Sequence, residues 1–132
     1  MEPATAATLT APIRLLIVDD EPLFVEMVEA MVACEAGIEV VGTAADGEAG
    51  ARLAAELDPD VVLMDISMPV MNGIDATRAI RGQDPDACVL ILTGGSNVTD
   101  IDSARSAGAA GYLTKDRIAG DLVTEIRQLG SR

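Results

Sequence analysis

Short runs of apolar, β-branched residues alternate with longer segments whose apolar residues recur every three or four positions, from Ile13 to Leu129. The short runs predict strands over Ile13 to Val18, Ile38 to Ala44, Val61 to Met64, Cys88 to Thr93 and Gly111 to Thr114. Between the first two, Phe24, Met27, Val28, Met31 and Val32 share one helical face, on a helix that starts near Pro22 and is over by Gly37. A second helix follows Asp46, turns Ala49, Leu53 and Leu57 inward, and stops at Asp58-Pro59. A third opens after Asn72-Gly73 with Ile74 and Ile80 facing in, and a last one from about Arg117 carries Ile118, Leu122, Ile126 and Leu129 on one stripe. The fourth has the thinnest stripe, Val98, Ile101, Ala104 and Ala107, behind Gly94-Gly95, and is expected to be the most mobile element.

Strands and helices in strict alternation call for parallel strands joined by right-handed crossovers. The expected class is α/β, a doubly wound five-stranded parallel sheet with helices on both faces. The unbroken apolar runs Val61-Val62-Leu63-Met64 and Val89-Leu90-Ile91-Leu92 fit central strands buried on both sides. Residues 1–12, rich in Ala and Thr, read as a flexible tail, and residues 13–130 as one domain, which suits a chain of 132 residues.

Composition narrows the partners. With 9 basic against 22 acidic residues the chain carries a net charge of -13, which argues against nucleic acid and anionic membranes as ligands of this segment and favours cations and basic protein surfaces. No apolar stretch approaches the length of a membrane span, and the first dozen residues lack the basic start of a signal peptide. Cys34 and Cys88 are expected as buried free thiols in a reducing cytosol, and no histidine is present to complete a zinc site.

Chemistry enters through what closes the strands. Asp19 and Asp20 follow the first, Asp65 the third, Thr93 ends the fourth and Lys115 follows the fifth. In a parallel sheet all of these gather at the carboxyl edge, where ligands of open α/β folds bind. Carboxylates converging there repel one another unless a cation joins them, and an oxygen-only set too small for a full cage suits Mg²⁺ that keeps part of its water. Helix capping accounts for one Asp before Pro22, but not for two together with a third at another strand end. A carboxylate beside such an ion is a nucleophile toward phosphorus, and the Thr93 hydroxyl and Lys115 ammonium would clamp the oxygens of a transferring phosphoryl group.

Four segments at these spacings, Val18-Asp19-Asp20-Glu21, Met64-Asp65-Ile66-Ser67-Met68-Pro69-Val70-Met71-Asn72-Gly73, Leu92-Thr93-Gly94 and Gly108-Ala109-Ala110-Gly111-Tyr112-Leu113-Thr114-Lys115, make the chain resemble a receiver domain of the two-component response-regulator family. The resemblance implies a flavodoxin-like (βα)5 fold. Asp65 would be the phosphoacceptor, with Mg²⁺ held by Asp20, Asp65 and the main-chain carbonyl of Ser67, and by Asp19 directly or through water. Thr93 and Lys115 would bind phosphoryl oxygens, and the ring of Tyr112 would turn inward as Thr93 moves. The donor would be a sensor histidine kinase or a histidine phosphotransfer protein in the cytoplasm, and the downstream partner a protein met through helix 4, strand 5 and helix 5. Such a receiver catalyses only its own phosphorylation and dephosphorylation.

The chain departs from the commonest receiver pattern at Asp116, where many receivers have proline after a cis bond, so a trans Lys115-Asp116 bond is expected. Ser67 and Gly95 stand at the two positions that tune phosphoryl lifetime in the family. A stand-alone receiver and the receiver portion of a longer DNA-binding regulator both remain open. A small Mg²⁺-dependent phosphatase with Asp19 as nucleophile and Glu21 as its acid partner is the alternative from another class. A flavin-binding flavodoxin is disfavoured by a chain with one Phe, one Tyr and no Trp.

Overall fold

The computed structural model describes residues 11–94 and 98–131. Most of the expected tail, and Gly95, lie outside them. The elements run β1 Ile13–Val18, α1 Pro22–Ala33, β2 Ile38–Ala44, α2 Gly47–Leu57, β3 Val61–Asp65, α3 Gly73–Gln83, β4 Val89–Thr93, α4 Val98–Ser106, β5 Gly111–Thr114, a 3₁₀ turn Lys115–Arg117, and α5 Ile118–Gly130. Two expected strand limits move by one residue: β3 continues through Asp65 and β4 begins at Val89 rather than Cys88. Asp65 therefore sits on the strand, pinned by the ladder, rather than in the loop beyond it.

All pairings are parallel and the sheet order is β2-β1-β3-β4-β5. Successive side chains of a strand point to opposite faces, which divides the core in two. Leu15, Ile17, Leu63, Leu90 and Leu92 face α1 and α5, meeting Val28, Val32, Leu122 and Ile126. Leu16, Val18, Val62, Met64 and Ile91 face α2, α3 and α4, meeting Ala54, Ala76, Ile80 and Ala104. The second face is lined largely by alanines, so its helices lie close; a Cβ on Gly50 of α2 would press on Val18 at 2.7 Å.

Local signals set the helix ends. Asp46 and Asn72 cap α2 and α3 by accepting from the backbone N–H groups of Ala49 and Asp75. Pro22 occupies the first turn of α1, where its missing N–H costs nothing. Asp58 closes α2 in the left-handed region at φ 48°, ahead of Pro59.

Two expectations fail on α1. Met27 is exposed, because only the narrow line Val28 and Val32 reaches full burial while Phe24 and Met31 flank it half-buried. Cys34, expected in the core, is exposed, since it caps the end of α1 rather than lying on its inner face; Cys88 is half-buried, and neither cysteine is in a disulfide. The Lys115-Asp116 bond is trans, like every peptide bond among the described residues.

Candidate functional site

The order β2-β1-β3 reverses the direction of winding between β1 and β3, and a crevice opens outside the carboxyl ends of those two strands. Register places the ends together: Val18 pairs with Met64, Asp65 with Leu92, and Thr93 with Thr114. Asp19, Asp65, Thr93 and Lys115 thus come to one edge because each is the residue at, or just past, the end of a neighbouring strand.

Asp19 and Asp65 are buried, as is Thr93. One oxygen each of Asp19, Glu21 and Asp65 fall within 4.8 Å of one another. Asp20 is exposed at the rim, where its charge adds to the field on Asp65 without its oxygens joining that trio. Glu21 is the member that sequence reasoning passed over as a site residue of the receiver; its only signal was its place in the turn between Asp20 and Pro22.

Lys115 is the ammonium inside the trio, with Nζ 2.6 Å from Glu21, 3.0 Å from Asp19 and 3.6 Å from Asp65. Asp19 splits its tasks. Its Oδ1 accepts from the Glu21 backbone N–H at 2.9 Å and so shapes the turn, whereas Oδ2 is buried with no hydrogen bond in proper geometry and only the ammonium beside it. A hydrogen bond needs the N–H aimed at the oxygen as well as a short distance, and the ammonium meets Oδ2 by charge alone. A buried carboxylate oxygen left so is costly, and a hard cation is what its chemistry fits.

Burial raises the Asp65 carboxyl from 3.8 to about 6, and Asp19 pushes in the same direction; Lys115 and a backbone hydrogen bond from Ser67 oppose them, and Asp20 adds a smaller upward push. Desolvation pulls Lys115 down, but the Glu21 and Asp19 carboxylates beside it and the Asp65 charge outweigh this, and it moves upward. With Asp19, Glu21 and Asp65 ionised around one ammonium, the site lacks about two positive charges.

The loop after Asp65 is held tightly. Gly73 N–H donates to Ile66 O and Gly47 N–H to Met71 O, and a Cβ on either glycine would collide with the carbonyl of Asp65 or Met71 respectively. Within the loop Met71 N–H donates to Pro69 O at 2.7 Å around Val70, whose φ is 69°. A β-branched residue in that region is strained.

A model of the response regulator receiver domain matches residues 15–127. The chain belongs to that family. Among curated relatives the receiver is 41% identical over 117 residues to response regulator GacA of Pseudomonas aeruginosa, covering 89% of this chain and 55% of that protein. It is 38% identical over 115 residues to transcriptional regulatory protein DegU of Brevibacillus brevis, covering 87% and 49%. The chain therefore spans about half the length of these relatives. The receiver domain of the putative response regulator NarL from Mycobacterium tuberculosis superimposes with a TM-score of 0.88 at 31% identity, covering 92% of this chain and 98% of that one. Membership fixes the role as a two-component signalling receiver on a flavodoxin-like fold. No helix among the described residues is long and apolar enough to cross a membrane.

Proposed function

We propose that this receiver accepts a phosphoryl group on Asp65 from a phosphohistidine, with Mg²⁺, and so switches a protein-binding face. The observation that carries the reading is the buried Asp19 oxygen without a hydrogen bond, set beside a buried Asp65 and sharing one ammonium with it. Asp19 and Asp65 would hold the ion, with Asp20 at the rim, the Ser67 carbonyl and, by its proximity, Glu21. Mg²⁺ supplies charge neutralisation of the carboxylates and of the phosphoryl oxygens.

In the transfer an Asp65 oxygen attacks phosphorus, an O–P bond forms as the P–N bond breaks, and the electron pair leaves with the donor imidazole. Burial excludes water around Asp65, while Lys115 and Thr93 stand to bind the phosphoryl oxygens. With no histidine among these 132 residues, the phosphohistidine lies outside this segment, on a sensor histidine kinase or a histidine phosphotransfer protein in the cytoplasm. The receiver turns over no separate substrate, acting only on its own phosphorylation state.

The output face is that of α4, β5 and α5. Tyr112 is 43% exposed there and lines a groove of about 270 Å³ with Ile101, Ala104, Arg105 and Glu125. The partner is a protein or, in a longer regulator, a DNA-binding domain on the same chain, as the transcriptional regulators among its relatives suggest.

The test is Mg²⁺ with acetyl phosphate or beryllofluoride. The expected result is one phosphoryl mass added to the wild type and none to Asp65→Asn, with amide shifts spreading from Asp65 to Tyr112. Phosphoryl incorporation that survives Asp65→Asn refutes the assignment.

A further inference from the structure

Lys115 is the only lysine of the chain and Phe24 the only phenylalanine, and the two meet: Nζ stands 4.4 Å from the centre of the ring. The ammonium is not centred among its carboxylates. Its shortest contact is a 2.6 Å hydrogen bond to Glu21, whose side chain is 63% exposed, and its longest is the 3.6 Å approach to buried Asp65. Glu21 and Phe24 come from the turn after β1 and the first turn of α1, and β1 lies two strands beyond β4 from the β5 end that carries Lys115, so these contacts draw the side chain across the edge toward β1.

The geometry points to Glu21 and Phe24 as positioning residues that park Lys115 over the β1–α1 turn, so that the ammonium must be released from them before it can stabilise a phosphoryl group on Asp65. This rests on the functional reading above. A lysine has one charge to place. A hydrogen bond to the Glu21 carboxylate and a contact with the ring face are given up when it moves to a phosphoryl oxygen, and each lowers the gain from that move. The exposed ion pair adds little to folding stability, but it competes directly with the bond that matters to the phosphorylated state. Neutralising Glu21 therefore strengthens phosphoryl binding, the reverse of what loss of a site carboxylate would do to the cation.

The single lysine and single phenylalanine make the test direct. In protein labelled with ¹³C-lysine the one side-chain signal reports Lys115, and in the metal-free state its ε-protons are expected upfield from the Phe24 ring current. Phe24→Leu returns them toward ordinary lysine values, and a signal already at ordinary values in the wild type overturns the parked position. Beryllofluoride is then titrated at saturating Mg²⁺ into wild type, Glu21→Gln, Lys115→Met and the double variant. Glu21→Gln is expected to tighten binding about threefold to tenfold, and the gain to fall below about twofold in the Lys115→Met background, since coupled pairs lose their interaction when either partner is absent. An unchanged affinity in Glu21→Gln overturns the proposal. The same gain with and without Lys115 also overturns it, because that is simple relief of charge repulsion on an anion. A wild type that binds no beryllofluoride, behaving as Asp65→Asn does, brings down the functional reading and this proposal with it, whereas binding by the wild type with no effect of Glu21 removes the proposal alone.

Discussion

Both edges of the sheet are rich in carboxylates, yet only one has a site. At the carboxyl edge Asp19 and Asp65 are buried, face one another, and draw on a single shared ammonium. At the amino edge Asp58, Asp60, Asp84 and Asp86 line a depression of about 770 Å³, and there the acids serve the backbone instead. Asp60 accepts from Arg14 N–H at 2.8 Å and Asp84 from Asp86 N–H at 3.0 Å. The arginines likewise turn to carbonyls, Arg14 to Leu57 and Asp58, and Arg81 through Nη1 to Pro85 and Ala87, its buried Nε making no hydrogen bond. Cavity size is the wrong guide to function in this molecule. What separates the edges is burial and an unmet oxygen, not the number of acids.

The contrast is broken most completely by Asp65→Asn, which should abolish phosphoryl uptake from acetyl phosphate, while Asp84→Asn at the other edge should leave the intact mass change as in the wild type. Next in size is Lys115→Ala, expected to slow phosphorylation about 100-fold by removing one preorganised positive donor, measured as the initial rate at saturating Mg²⁺.

The third effect is on stability and has a pH signature. Because the folded carboxyl of Asp65 titrates at about 6, above its ordinary 3.8, its contribution is fully present below about 3.8 and is lost as the pH rises through about 6. Metal-free Asp65→Asn should therefore be more stable than the wild type by about 1–2 kcal/mol at neutral pH, with the advantage gone in acid near the ordinary Asp value. Urea unfolding with chelator against pH checks this, and added Mg²⁺ should close the gap at neutral pH only. Mg²⁺ affinity itself should weaken as the pH falls through about 6, when Asp65 gains its proton.

The smallest effects sharpen the same comparison through the backbone. Val70 near the site and Asp58 at the far edge both have positive φ. Val70→Gly should raise stability by about 1 kcal/mol, since it relieves a β-branched residue there. Asp58→Asn, which tolerates the left-handed region equally well, should change it by less than about 0.5 kcal/mol. Thermal melts of the two variants side by side give the difference.

How much of this was legible follows from where information sits in a chain. The five strands, the sheet class and the convergence of Asp19, Asp65, Thr93 and Lys115 could be read because a strand end is a local feature and the parallel topology carries it to one edge. The grip of Glu21 on Lys115 could not, since it joins residues 94 positions apart through the rotamers of two long side chains. Met27 misled because a helical stripe read from spacing is wider than the line that touches a sheet, and Cys34 because the usual burial of a thiol does not show that it closes the end of α1. The division of labour within Asp19, one oxygen for the turn and one facing only the ammonium, is a matter of angles that no spacing records.

Gly47 and Gly73, with the hydrogen bonds they donate, leave the segment behind Asp65 no room to retreat. The crevice then works as a vice with one fixed jaw. On the function proposed above, a displacement that follows the arrival of charge on Asp65 would be delivered to the opposite jaw, the ends of β4 and β5, as by a lever with its fulcrum at β3 and its stroke directed at a single side of the molecule.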